Sequence, residues 1–299
     1  MKTSVETIQT ELVRDRSRYA DYLTLTKPEL SFLSVLTTFA GFYIAEQGGM
    51  NYMLLLATVI GTALLAAGAA SMNMYVEREY DSQMRRTQNR PIPSGRMRPQ
   101  EALFFGVTSG LAGAIILAAR VNLLTAILGG VTYITYVFVY TPLKRRSTIN
   151  TLVGCIPGAI PPMMGWTAVR GSVDAGAWAL FAILFVWQMP HFLSLAWMYR
   201  TDYKRAGFRM TPVEDEKGHM TSLQILLFCA ALIPVSILPK MMGMSGSIYL
   251  FSAIGLGAAF LALSVALALR RTNLLARRVF AASLLYLPAL LTVMMFDKI

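Results

Sequence analysis

Cysteine is scarce, with two residues in 299, Cys155 and Cys229, both inside apolar stretches and far apart in the chain. That excludes a disulfide framework and a cysteine-built metal centre. Charge is sparse too, at 14% Asp, Glu, Lys and Arg against 55% hydrophobic residues, where soluble domains carry about 25% and 45–50%. The balance excludes both disorder and an ordinary soluble enzyme. The first 29 residues lack the apolar core of a cleavable secretory signal, and are read as a retained cytoplasmic tail.

What is abundant is long apolar sequence. Nine runs of about twenty residues recur, at 30–47, 51–74, 99–119, 122–141, 148–168, 175–198, 222–242, 246–269 and 275–296, each long enough to cross roughly 30 Å of hydrocarbon. The fold expected is an all-α integral membrane protein, with residues 30–299 as one nine-helix domain. The net charge of +11 then reflects placement at membrane edges and not nucleic acid. With the N-terminus inside, the tail and the alternate loops hold 5, 6, 3, 5 and 4 of the 27 Lys and Arg; the opposite face keeps Arg120, Arg170, Lys240 and Lys298. This asymmetry predicts a cytoplasmic N-terminus and a periplasmic C-terminus.

Two cytoplasmic loops, 75–98 and 199–221, are longer than connectors need to be, and hold seven of the 16 acidic residues. In NMYVEREYD, Asn73, Glu77 and Asp81 are spaced by four; a helix continuing through them sets all three on one stripe rising about 12 Å. That length exceeds one ion's coordination sphere and suits two Mg²⁺ bridged by a diphosphate. Downstream, RRTQNRP supplies Arg85, Arg86, Asn89 and Arg90, and YTPLKRR supplies Tyr140, Lys144, Arg145 and Arg146; guanidinium forks suit phosphate oxygens. A solvated, salt-bridged membrane edge accounts for the same residues equally well from spacing alone.

In WQMPHFLSLAWMYRTD, Trp187 and His191 share a helix face about ten residues before Asp202, which puts the histidine within the bilayer. An ionisable group at that depth is a functional candidate, although a neutral histidine bonded to a neighbouring helix fits as well. Most of the 18 methionines read as adaptable core filler.

The combination of nine spans, polar loops after the second and sixth, and NxxxExxxD followed by RRTQNRP resembles the UbiA superfamily of intramembrane prenyltransferases. Within it, YTPLKRR, IPGAIPPMMGW at 156–166 and the WQMPHF string are similar to the branch that farnesylates haem. The resemblance implies nine helices around a central cavity, with farnesyl diphosphate and haem b as substrates and Mg²⁺ as cofactor. It implies an inner-membrane location and a product passed on towards haem A synthase or haem-copper oxidase assembly. By residue it implies that Asn73, Glu77, Asp81 and Asp202 hold Mg²⁺ and that Arg85, Arg86, Asn89, Arg90, Tyr140, Lys144 and Arg145 hold the diphosphate. His191 and Trp187 then contact haem, the histidine through iron or through a propionate. Two departures stand out: Glu77 replaces the superfamily's usual aspartate, and Asp202 is followed four residues later by Ala206 where a second aspartate is common. An aromatic quinone precursor as acceptor, or a transporter with charges at its mouths, are the competing readings.

Overall fold

The computed structural model describes residues 18–299, so the tail expectation for 1–17 lies outside the described residues. A short helix α1 (Arg18–Leu25) precedes α2 (Pro28–Ala45), α3 (Tyr52–Asp81), α4 (Pro99–Arg120), α5 (Leu123–Leu143), α6 (Asn150–Arg170) and α7 (Ala175–Met198). Two short helices, α8 (Arg200–Arg205) and α9 (Thr211–Glu214), lead into α10 (His219–Met241), α11 (Ser247–Arg270) and α12 (Asn273–Phe296). Among the described residues nine helices, α2–α7 and α10–α12, are long and apolar enough to cross a membrane, as hydropathy predicts.

Local chemistry sets the boundaries. Pro28 occupies the first turn of α2, where its missing N–H costs nothing, and Asn51 caps α3 by accepting from the Leu54 N–H at 3.0 Å. Only Val121 and Asn122 separate α4 from α5, with Asn122 Oδ1 accepting from Thr125 N at 2.8 Å. Within α5, Thr135–Tyr140 forms a π-helical turn, a feature found often beside functional sites.

Without a hydrophobic drive between helices in lipid, close packing needs small residues. An added Cβ at Gly68 of α3 would lie 2.7 Å from the Gly106 carbonyl oxygen of α4, and one at Gly165 of α6 would lie 1.9 Å from the Thr38 carbonyl oxygen of α2. Thr38 Oγ1 also donates to the Pro161 carbonyl of α6 at 3.0 Å. Helices α6 and α7 are the most enclosed of the nine, flanked by α2 and α5 on one side and by α10 and α12 on the other.

The polar segments fold onto one end of the bundle. A buried Asp21–Arg96 pair at 2.9 Å ties α1 to the α3–α4 loop, supported by packing of Leu25, Met74, Ile92 and Met97. From the other side, Met84, Ala196, Ala206, Phe208 and Met210 form an apolar cluster that joins this loop to the α7–α10 connection. Arg209 N donates to the Lys144 carbonyl at 2.7 Å, and Asn150 Nδ2 to the Arg209 carbonyl at 2.8 Å, fastening the cap to the end of α5 and the start of α6.

Candidate active site

The second span outruns its apolar run: α3 stays helical to Asp81, and so Asn73, Glu77 and Asp81 do lie along one face. All three are buried, Glu77 to 5% exposure and Asp81 to 0%, so a solvated loop edge does not describe them. Each meets a cation. Lys27 donates to Asn73 Oδ1, Lys144 Nζ lies 2.8 Å from Glu77 Oε1, and Arg90 Nη1 lies 2.7 Å from Asp81 Oδ2. Asn73 Nδ2 in turn donates to Thr141 Oγ1 at 3.0 Å, which fixes the amide orientation. Burial, with Arg90 adding like charge, holds Lys27 well below the ordinary lysine value against the pull of Glu77. Burial also draws Lys144 down, but the adjoining Glu77 carboxylate and Tyr136 outweigh it and leave Lys144 above that value.

These side chains line a charged cavity together with Arg86, Tyr136, Tyr140, Tyr203 and Phe208. A second cavity of similar volume, about 170 against 160 Å³, is apolar, and descends between α2, α3, α5, α6 and α7 past Ala70, Ala66, Leu65, Gly129 and Met164. Leu30, Tyr136, Tyr140 and Phe192 belong to both linings, so the two cavities meet there.

Other predicted residues stand at or beyond the mouth. Arg86 lies over the Tyr199 and Tyr203 rings and donates to the Tyr203 hydroxyl at 3.3 Å. Arg145 is exposed and sits 4.1 Å over the Tyr80 ring. Arg85 and Asn89 are exposed, the Asn89 carbonyl accepting from Arg96 Nη2 at 3.0 Å. Asp202 lies outside the cavity lining on α8, facing Arg205 at 3.8 Å, although its neighbour Tyr203 is in the lining.

His191 and Trp187 line the apolar cavity, with rings stacked at 5.0 Å. Trp187 Nε1 donates to the Ser283 carbonyl at 2.9 Å, and His191 Nδ1 lies 2.8 Å from Ser283 Oγ. Since the Ser283 hydroxyl proton goes to the Phe280 carbonyl at 2.6 Å, Ser283 Oγ accepts from the histidine. His191 Nδ1 therefore carries the proton and Nε2 keeps its lone pair.

The residue that sequence reasoning missed is Lys27. In TKPEL it reads as one more topological anchor ahead of a span, yet its left-handed backbone, φ 45°, turns the chain there between α1 and α2 and its side chain lines the charged cavity. Its place immediately before Pro28 was the available signal, because a lysine there has to sit at the edge of the bundle.

As to metal, no group of three or more His, Cys, Asp or Glu is gathered as a ready cage among the described residues. The donors present nevertheless suit Mg²⁺ held jointly with phosphate: two carboxylates and an amide oxygen on one stripe, with Asp81 Oδ1 buried and unpartnered.

Residues 34–287 match the UbiA prenyltransferase family. The protoheme IX farnesyltransferase of Solibacter usitatus is 46% identical over 287 residues, covering 93% of this chain and 98% of its own. That of Salinibacter ruber is 46% identical over 277 residues, with the same coverage, and that of Myxococcus xanthus 43% over 283, covering 94% and 95%. In structure, the chain is similar to a digeranylgeranylglyceryl phosphate synthase, TM-score 0.78 at 15% identity, over 93% of this chain and 98% of that one. It is similar also to a UbiA homolog from Archaeoglobus fulgidus bound to GPP and Mg²⁺, TM-score 0.67 at 16% identity, covering 92% and 99%. The fold is shared with both.

Proposed function

The chain belongs to the UbiA prenyltransferase family, and from that premise we propose that it transfers the farnesyl group of farnesyl diphosphate to a vinyl group of haem b, releasing diphosphate. The observation that carries the proposal is the junction of the two cavities at Leu30, Tyr136, Tyr140 and Phe192. A diphosphate among the charged residues puts its C1 atom where the apolar cavity begins. The acceptor is supported by 46% identity to relatives named protoheme IX farnesyltransferase, and by the bare Nε2 of His191 in that cavity.

Asn73, Glu77 and Asp81 hold Mg²⁺, with Asp202 a further carboxylate beside the mouth. When bound, the metal withdraws charge from the leaving diphosphate. Lys27, Arg90 and Lys144 are within reach of the same phosphates, and Arg86 and Tyr140 face them from the lining; preorganised donors of this kind stabilise charge as the C1–O bond breaks. Arg85, Asn89 and Arg145, outside the lining, add positive or polar character at the entrance. The vinyl group attacks C1, and water captures the resulting cation beside the porphyrin and gives up a proton, leaving a hydroxyethylfarnesyl substituent. The apolar cap cluster around Met84 and Phe208 keeps bulk water from the allylic cation.

The His191 tautomer supports one of its two roles. A neutral imidazole with a bare Nε2 accepts or ligates but does not donate from that atom, which favours iron over a propionate oxygen. Trp187 holds the ring in place by stacking. The charge asymmetry supports an inner-membrane protein with its charged cavity at the cytoplasmic face, and the product is handed on towards haem A synthase or haem-copper oxidase assembly. Incubating the purified protein with farnesyl diphosphate and Mg²⁺, with either haem b or an aromatic quinone precursor as acceptor, tests the proposal. Prenylated haem alone supports it, and prenylated aromatic alone overturns the acceptor.

A further inference from the structure

The apolar cavity carries one polar group that the reading above does not use. Gln188 of α7 lines it at 4% exposure, and its amide is held from two sides. Nε2 donates to the Leu184 carbonyl of its own helix at 3.1 Å and to the Cys155 carbonyl of α6 at 3.2 Å, which uses both of its hydrogens. The reverse orientation would set Oε1 against two carbonyl oxygens, so the contacts settle which end of the amide is oxygen. Oε1 accepts no hydrogen bond among the described residues, and it lies over Gly158 of α6, where an added Cβ would meet it at 1.9 Å. Gly158 is itself part of the cavity lining, so only a glycine there leaves the oxygen its place.

Two helices give the same depth for this acceptor. On α6, which leaves the charged cavity at Thr151, Gly154 packs on the Tyr140 ring at the junction, and Gly158 is one turn deeper, about 6 Å. On α7, which reaches the charged cavity at Leu195 and Ala196, Phe192 belongs to the junction and Gln188 is again one turn deeper, about 6 Å. His191 stands between them, three residues from Gln188 and so about 5–6 Å from it along one helix face. A haem held through iron at His191 therefore presents its rim to Gln188, and the rim is where its vinyl groups are.

The reaction needs an acceptor at this depth. With C1 of the prenyl chain at the junction, bond formation to the terminal vinyl carbon leaves the positive charge on the next carbon, beside the porphyrin. A water about 2.8 Å from Oε1 and about 3–3.5 Å from that carbon bridges about 6 Å, the depth of Gln188 below the junction. The amide oxygen takes one hydrogen of the water and leaves a lone pair free to face the cation. Since bulk water has to be kept from the allylic cation, the one water that does react must be held inside the cavity.

We infer that Gln188 Oε1, fixed by the Cys155 and Leu184 carbonyls and seated over Gly158, holds the water molecule that captures the cation beside the porphyrin. The inference rests on the haem-farnesylation reading above and adds to it the residue that decides how the reaction ends. The C1–O electron pair leaves with the diphosphate, the vinyl π pair forms the carbon–carbon bond, and a lone pair of the held water forms the carbon–oxygen bond. The proton released goes to the departing diphosphate, whose negative charge has risen by one. Without a held water the same cation ends by losing a proton from the adjacent carbon, again to diphosphate, and gives an alkenyl haem lighter by one water.

The test reads the ratio of hydrated to alkenyl haem, separated by chromatography and weighed by mass spectrometry, after turnover of the full-length protein in detergent with haem b, farnesyl diphosphate and Mg²⁺. Affinity for non-hydrolysable farnesyl thiolodiphosphate, the haem absorption spectrum and the thermal transition of each variant report on the rest of the site. The parent is expected to give the hydrated product. Gln188→Met, which keeps the length of the side chain and removes the acceptor, should lower the ratio about tenfold or more with substrate binding unchanged. Gly158→Ala, which displaces Oε1 and leaves the amide in the chain, should shift the ratio the same way, and covers the case in which Gln188→Met fails to fold. Gln188→Glu, which keeps an oxygen at that place, should restore the parent's product. An unchanged ratio in folded, active variants overturns the inference, and so do folded variants that bind both substrates and form neither product, because water capture follows farnesyl transfer. A parent that prenylates no haem defeats instead the reading on which the inference rests.

Discussion

Replacing Asp81 by asparagine separates what the carboxylate does for the fold from what it does for the reaction. The side chain is fully buried, Oδ2 accepts from Arg90 at 2.7 Å, and Oδ1 has no partner. Asparagine keeps the shape and still offers Arg90 a carbonyl oxygen. Deleting one partner of a buried pair costs about 3–5 kcal/mol, but here only the charge assistance is lost, the difference between a charged and a neutral hydrogen bond, about 1–2 kcal/mol. Function should suffer more. Removing a single preorganised group at a centre of developing charge lowers kcat by about 10²–10³, and Asp81→Asn takes away one of the carboxylates proposed to hold Mg²⁺. The expected outcome is a fall in kcat/KM of at least about 100-fold, or roughly 2.7 kcal/mol of transition-state stabilisation, with a thermal transition only a few degrees lower. The assay is Mg²⁺-dependent formation of farnesylated haem, beside a melting curve of the same preparation. Folded Asp81→Asn protein with activity within about threefold of the parent would refute the reasoning, since no group doing this work can be replaced at so little cost.

Three further outcomes follow from particular contacts. His191→Ala should abolish spectroscopically detected haem binding and leave Mg²⁺-dependent farnesyl thiolodiphosphate binding unchanged, because His191 lines the apolar cavity and is absent from the lining of the charged one; loss of both ligands together would contradict the division of the site. Lys27→Met should raise the KM for farnesyl diphosphate about tenfold or more while the KM for haem stays put, read from initial rates, since Lys27 Nζ donates to Asn73 within the charged cavity proposed to take the diphosphate. Gly165→Val should lower the melting temperature by many degrees, because even a Cβ there would lie 1.9 Å from the Thr38 carbonyl and α2 and α6 would be driven apart; an unchanged transition would contradict the packing.

The nine spans were legible because membrane hydropathy is a property of composition over twenty residues and does not need tertiary context. Their ends were less so. The second span reads as closing near residue 74, and yet α3 runs to Asp81 because Lys144 and Arg90, from other parts of the chain, make burial of two carboxylates tolerable. The acidic stripe itself was legible from a spacing of four, since helix period alone sets it on one face. What spacing could not supply was partnership across the sequence. Lys27 looks like any cytoplasmic anchor until α1 is docked by the Asp21–Arg96 pair, and of Arg85 and Arg86, adjacent in the chain and both exposed, only Arg86 reaches the lining, over the Tyr199 ring. Which nitrogen of His191 carries the proton was similarly open, because it turns on Ser283, 92 residues away in the chain.

The most direct test of the account is the haem recovered after incubating purified protein with haem b, farnesyl diphosphate and Mg²⁺ in water labelled with heavy oxygen, analysed by chromatography and mass spectrometry. The account predicts a hydroxyethylfarnesyl haem whose hydroxyl carries the label, absent when EDTA is added and restored by excess Mg²⁺. Unmodified haem from folded protein that binds farnesyl diphosphate would contradict it.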